Sequence, residues 1–317
     1  MVHLDNLRPN LTVVDSIQTL YSQDVVSAPG TVTQVRECTL RLMQWSKQNG
    51  IPVLLAGHVT KDGIVAGPRV LEHMVDVVLY LEGDTLGPYR ILRGEKNRFG
   101  STHEIGIFRM TKNGLEEVLD PSGLFLAQRQ QGVPGSTVVP VLEGTRPILV
   151  EVQALTSPTI YPVPRRVANG VDFNRLLLIL AVLGKRTAIS LSHQDVIVSI
   201  AGGIRVEEPA ADLAMALALI SSLNGIPLPA DLVALGEVGL TGEIRGIHQS
   251  EQRLAEAAKL GFRQCLLPIS LSGEMKDNIP IKPLWVSTLD EAIKKVFPKL
   301  RGKSRFIPEQ HSSGSQE

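Results

Sequence analysis

Cysteine is scarce: Cys38 and Cys265 are the only two in 317 residues, and they lie far apart in sequence. Two thiols can build neither a four-cysteine zinc module nor a disulfide framework. They suit a reducing cytoplasm, where lone cysteines are mostly small buried hydrophobes. Aromatic residues make up 4% of the chain, which argues against a platform of successive base-stacking rings. Neither sign of charge prevails: 32 Lys and Arg stand against 32 Asp and Glu, so a globally basic nucleic-acid binder is excluded while a local basic patch is not. Long apolar runs are missing too. Leu176–Leu183 is far shorter than the ~20 residues of a membrane helix, and Ala210–Leu223 is interrupted by Asp212, Ser221 and Ser222. Both are read as buried core helices, and no membrane partner is expected. Met1-Val2-His3-Leu4-Asp5 has neither a basic nor a long apolar stretch, against a signal peptide.

Several catalytic signatures are absent as well. There is no G-x-x-x-x-G-K-[ST] phosphate loop, no H-x-x-x-H pair among the scattered histidines, and no G-x-S-x-G nucleophile elbow. What remains is a composition, 43% hydrophobic and 20% charged, that can fill ordinary globular cores. The length suggests about two domains.

Leu11–Asp15 is a short apolar run ending in an acid and reads as a buried parallel strand. Thr31 and Gln34 match a capping box for a helix that closes at Asn49-Gly50, and Ile51–Gly57 is a second buried strand. Strand, helix, strand in this spacing is a βαβ unit and predicts a parallel α/β sheet. Val75–Leu81 is a third strand, and the segments Tyr89–Arg93 and Glu104–Met110 alternate as antiparallel strands, the latter leading into a turn at Thr111–Gly114. Gln, Gly and Pro in 128–136 mark the linker, placed at 128–140. A second α/β or α+β domain follows over 141–300. Residues 301–317 are polar and read as a disordered tail.

Two local patterns bear on chemistry. Asp15 ends a buried strand, where it is either a turn residue or a Mg²⁺-holding acid of a nucleotide site. Between Arg90 and Lys112, Arg90, Arg93, Lys96, Arg98, Arg109 and Lys112 outnumber Glu95 and Glu104. This stretch is either a solvated hairpin or a phosphate-contacting loop. Lys294, Lys295, Lys299, Arg301, Lys303 and Arg305 form another acid-free run, read either as a second basic patch or as a solvated tail. Gly202-Gly203 opens a helix, but Glu207, Glu208 and Asp212 in the same loop would repel a phosphate.

Longer motifs give a specific resemblance. Thr12-Val13-Val14-Asp15-Ser16-Ile17-Gln18-Thr19-Leu20, Gly57-His58-Val59-Thr60-Lys61-Asp62-Gly63, Lys96-Asn97-Arg98-Phe99-Gly100, Glu208-Pro209-Ala210-Ala211-Asp212 and Gly236–Arg245 occur in order. The chain resembles the RadA (Sms) family of bacterial DNA repair proteins from about Asn10 to Lys295. The resemblance implies part of a RecA-like parallel-sheet core over 1–127, then a Lon-protease-like α/β (ribosomal S5-like) domain over 141–300. It also implies a cytoplasmic, hexameric, ring-forming, DNA-dependent ATPase that uses ATP and Mg²⁺, works beside a recombinase, and promotes branch migration of recombination intermediates on single-stranded and branched DNA. On that pattern Asp15 is the Walker B acid, holding Mg²⁺ through water, and His58 lies where the γ-phosphate is sensed. Lys96, Asn97, Arg98, Phe99 and Gly100 meet nucleotide or DNA, and the loop from Lys61 to Arg69 faces single-stranded DNA.

The chain departs from the family in lacking the zinc module and the Walker A loop, which leads to the expectation of an N-terminally truncated gene model that cannot hydrolyse ATP alone. The Ser–Lys dyad of Lon-type proteases is also lost: Ala210 stands at the Ser position and Glu251 at the Lys position. The second domain is therefore expected to be scaffolding. An alternative reading makes the whole chain a non-enzymatic oligomerisation and DNA-binding module.

Overall fold

The computed structural model describes residues 2–58, 71–83, 88–102, 104–273, 275 and 281–302. The chain divides into two units, Met1–Leu81 with Leu92–Glu104, and Glu82–Ile91 with Ile105–Glu317.

The first unit begins with helix α1 (Val2–Leu7) and contains the expected strand, helix and strand: β1 (Thr12–Asp15), α2 (Val32–Asn49) and β2 (Val53–Ala56). β1 and β2 pair in parallel, with Thr12 opposite Val53 and Asp15 opposite Ala56. Val35, Cys38 and Leu42 fall at helical spacing on α2 and pack with Ile17 and Leu71, joined by Val14 and Leu55 from the strands. Gly50 closes α2 at φ 66°, a left-handed position that glycine adopts without a Cβ penalty. The opposite face of the two strands is open: Leu11, Val13 and Leu54 are more than half exposed.

The start of α2 differs from expectation. Thr31 makes no side-chain cap; its hydroxyl donates to Ala28 O instead. Gln34 turns inward, 1% exposed, and its amide holds the preceding loop. Its Oε1 accepts from Ser22 N at 2.8 Å, and its Nε2 donates to the carbonyls of Ser22, Val25 and Ser27. An amide with four partners satisfies a loop that would otherwise bury bare peptide groups, and this outweighs one capping bond.

β3 (Val77–Glu82) and β4 (Tyr89–Asn97) follow, then a hairpin of β5 (Ile105–Thr111) and β6 (Gly114–Glu117), with Thr111 opposite Gly114 as the turn residues predict. A short helix α3 (Pro121–Leu126) is capped by Asp120, which accepts from Gly123 N.

The second unit is built on a mixed seven-stranded sheet. Its strands are β7 (Ser136–Glu143), β8 (Arg146–Pro158), β9 (Arg166–Asn169), β10 (Gln194–Ile200), β11 (Leu232–Ala234), β14 (Gln264–Pro268) and β15 (Lys282–Val286). They lie in the order β15-β14-β11-β7-β8-β10-β9. A small hairpin, β12 (Glu237–Val238) with β13 (Ile244–Arg245), stands apart from it. The linker expected to end at 140 ends earlier: Ser136 to Pro140 already belong to β7, because the Gln, Gly and Pro composition gives way to an apolar run at Val138.

Helices α4 (Phe173–Arg186), α5 (Asp212–Asn224), α6 (Ser250–Lys259) and α7 (Leu289–Val296) complete the unit. α5 is apolar around its whole circumference, and Leu213 to Ile220 are at most 2% exposed. Such a helix must be enclosed. Its ends supply the polar anchors. Ser221 Oγ accepts from Gly135 N and donates to Ile226 O, and Ser222 Oγ accepts from Thr156 N. At the first turn Asp212, 2% exposed, meets the guanidinium of Arg175 from α4 through both carboxylate oxygens and accepts from Val238 N at 3.1 Å.

Burial outweighs Arg175 at this carboxyl and lifts its pKa from the ordinary 3.8 to about 6. Between those values the native chain keeps a proton that the unfolded chain has lost, so this group makes stability fall as pH rises from about 4 to about 6. Urea unfolding across that range is expected to show this fall in the parent chain and its absence in Asp212→Asn. Parallel pH profiles for the two proteins would contradict it.

Candidate functional site

In an open parallel sheet, ligands meet the carboxyl ends of the strands. β1 and β2 run in the same direction, so their carboxyl ends coincide. Asp15 closes β1 opposite Ala56, the last residue of β2, and Gly57-His58 follow directly. Asp15 and His58, both exposed, are thus delivered to one end of the sheet by register alone. Gln18, in the 3₁₀ turn Ile17–Thr19 after β1, ties the two segments: its Nε2 donates to His58 O at 3.3 Å. Its Oε1 is buried and accepts no hydrogen bond among the described residues.

The second cluster closes β4. Lys96 Nζ donates to Glu72 O at 2.7 Å, and the Arg98 guanidinium pairs with Asp76 at 2.9 Å, while Arg98 N donates to Asp76 O. Asn97 shapes the turn, its Oδ1 accepting from Phe99 N and its Nδ2 donating to Ser101 O. A Cβ on Gly100 would come within 3.3 Å of Asn97 Nδ2 and crowd the side chain that shapes the turn. Phe99 is left 80% exposed at the tip. Lys96 and Arg98 are engaged with the segment Glu72–Asp76 rather than with Asp15 or His58. Arg98 remains 53% exposed and Asp76 42% exposed, a geometry in which an ion pair costs little to exchange for a phosphate. Lys61 and Arg69 lie outside the described residues.

In the second unit the positions expected to correspond to a Ser–Lys dyad hold Ala210 and Glu251. Ala210, 2% exposed, sits in the turn Pro209–Ala211 that leads into α5, and its carbonyl accepts from Gly236 N. Glu251 is exposed in the first turn of α6. Beside them lies an ion pair that local sequence reading does not find. Arg253, 2% exposed, grips Glu208 in a two-pronged contact at 2.7 and 2.6 Å. Its remaining donors reach Pro140 O and His248 O, and Glu208 also accepts from Leu142 N. Glu208 and Asp212 are therefore not free loop acids: each is consumed by an arginine, one by Arg253 and the other by Arg175. The available signal is two arginines inside otherwise apolar helical faces, at Arg175 and Arg253.

No cluster of three or more potential metal ligands occurs among the described residues. Cys38 and Cys265 are both buried, and burial raises both thiols above their ordinary pKa, which fits packing rather than metal or redox chemistry. Among the described residues, no helix is long and apolar enough to cross a membrane.

Comparison with known proteins adds an independent line. The family model described as subunit ChlI of Mg-chelatase matches residues 178–270. The chain is 50% identical over 295 residues to the DNA repair protein RadA of Listeria monocytogenes, covering 93% of this chain and 65% of that protein. It is 52% identical over 293 residues to the RadA of Bacillus subtilis, covering 92% and 64%. With the RadA of Streptococcus pneumoniae the identity is 50% over 295 residues, covering 93% and 70%. The chain spans less than two thirds of the Listeria and Bacillus proteins. With half of its residues shared along nearly its whole length, the chain belongs to the RadA family of DNA repair proteins.

Proposed function

We propose that the chain works on DNA in homologous recombination, as part of a ring-shaped assembly that couples ATP hydrolysis to branch migration. The observation that carries this reading is the shared carboxyl end of β1 and β2, which sets Asp15 beside the segment of His58. Asp15 would hold the water shell of a nucleotide-bound Mg²⁺, as acids at such strand ends do in P-loop enzymes. His58 would sense the terminal phosphate, with Gln18 holding the carbonyl of the same residue. Residues 1–127 form the corresponding part of a RecA-like core. Further polypeptide, from this or another chain, would cover the open face at Leu11, Val13 and Leu54.

Lys96, Asn97, Arg98, Phe99 and Gly100 form the contact loop for DNA or for a neighbouring subunit's nucleotide, and Lys61 and Arg69 flank a DNA-facing loop. Arg98 would exchange Asp76 for a phosphate oxygen, a charge-assisted partner of the same kind. Residues 141–300 act as a Lon-like scaffold. Ala210 offers no nucleophile, so Glu251 at the Lys position has no serine hydroxyl to activate. This scaffold supports assembly, with a second copy of the chain and a recombinase as partners in the cytoplasm.

Fluorescence anisotropy with labelled single-stranded DNA tests the contact loop. Affinity is expected to fall steeply with salt, because phosphate contacts release counterions. Lys96→Ala and Arg98→Ala should each weaken binding irrespective of base sequence and flatten the log–log salt slope by about 1. A slope unchanged in both variants would remove the loop from the DNA interface. A coupled-enzyme assay tests whether this chain turns over ATP without a phosphate loop. This chain, which holds no G-x-x-x-x-G-K-[ST] motif, should show no DNA-stimulated ATP hydrolysis above that of Asp15→Ala. Turnover by the parent chain that Asp15→Ala abolishes would contradict it.

A further inference from the structure

A cleft of about 420 Å³ opens on the face of the seven-stranded sheet that α5 does not cover, a size typical of a small-ligand or side-chain pocket. Register builds its floor. Ser136 of β7 pairs with Gln153 of β8, which pairs with Ser199 of β10, so three polar side chains stand in one row. Two residues along, Leu155 pairs with Ile197, an apolar row on the same face. Two residues the other way lies Glu151, and the segment around Gln128, Gln130 and Val133 forms the opposite wall.

The cleft is graded from end to end. Leu155 and Ile197 at the mouth are 61% and 39% exposed, whereas Glu151 at the inner end is 3% exposed. The Glu151 carboxylate accepts from Ser136 Oγ and from Gln153 Nε2. Among the described residues of the lining, Glu151 is the one charged side chain. Arg129 is near enough for its charge to act on Glu151, but its Nη1 donates to Ala230 O and its guanidinium stacks over Phe262, and the two make no direct ion pair. A buried carboxylate oxygen has capacity for more than one donor, and among the described residues both direct donors to Glu151 are neutral, so no cation touches it. An apolar mouth leading to a fixed anion suits one type of group: a flexible apolar stem ending in a cation.

We propose that this cleft is a docking site for a basic side chain, Lys or Arg, presented by a partner polypeptide. The stem lies along Leu155 and Ile197, the head reaches Glu151, and Ser199, Gln128 and Gln130 offer acceptors for its other protons. The site is independent of the nucleotide and DNA reading, because none of its residues belongs to that machinery.

The test uses the full chain and three probes that differ only in side chain: N-acetyl-arginine, N-acetyl-glutamate and N-acetyl-norleucine methylamides. Backbone amide chemical shifts are followed by NMR at millimolar probe concentrations. The arginine probe is expected to give saturable shifts at Gly135, Ser136, Glu151–Leu155 and Ile197–Ser199, and the glutamate probe none there. Glu151→Gln should weaken the arginine probe about tenfold, the loss of one charge-assisted contact. Leu155→Arg, at an exposed position that does not threaten the fold, should abolish binding by placing a tethered cation in the cleft. Equal shifts from the norleucine and arginine probes, or an arginine response that survives Leu155→Arg unchanged, or no lining shift at all, would overturn the proposal.

Discussion

The enclosure of α5 governs the second unit. A helix with no polar face cannot lie at a surface, so sheet, α4 and the β12–β13 hairpin are arranged around it. An enclosed helix creates a problem at its start, where backbone amides and the loop that feeds them are taken out of water. Gly236 O accepts from Leu213 N, and two arginines hold the acids buried with the loop. Arg175 holds Asp212 at the first turn, and Arg253 holds Glu208 just before it. Both pairs are buried on at least one side, so each partner is needed by the other: removing one leaves a charge without compensation. Arg253 also reaches Pro140 O and, through Glu208, the amide of Leu142, which fastens the entry of α5 to β7.

That arrangement bears directly on chemistry. On the proposed Lon-like reading, the entry to α5 is where the serine of a dyad would stand, and the residue there is Ala210 in a closed turn. The charge nearest to it has been recruited for structure. A guanidinium locked by four acceptors cannot act as a proton acceptor, and its pKa range forbids it in any case. The scaffold role proposed for this unit rests on that substitution and on the bonding around it. The first unit shows the opposite economy. Its apolar contacts are few, one sheet face is open, and its chemistry-bearing residues, Asp15, His58, Lys96 and Arg98, are left accessible at the ends of strands.

Much of this was readable in the sequence where one residue type dictates its own surroundings. The parallel β1–α2–β2 order, the buried α5 and the hairpin at Thr111–Gly114 came from periodicity and turn chemistry. Asp15 and the Lys96–Gly100 loop came from motifs whose spacing survives folding intact. What was hidden depends on partners far along the chain. Gln34 looked like a capping residue because local rules see only Thr31, whereas its amide serves a loop up to 12 residues earlier. Glu208 and Asp212 looked like repulsive loop charges because Arg253 and Arg175 stand 45 and 37 residues away. Glu151 shares its strand face with exposed Gln153 and Leu155, and only the register with Ser136 and Gln153 shows what surrounds it there.

The central physical claim is that Glu208 and Arg253 act as one structural unit at the entry of α5. A double-mutant cycle measures this most directly. Urea unfolding of Glu208→Gln, Arg253→Met and the double variant gives three stability losses. Each single change should cost about 3 to 5 kcal/mol, because it strands a buried charge. The double variant should cost far less than their sum, with a coupling energy of about 2 kcal/mol or more. Losses that add, with no coupling between the two sites, would contradict the account.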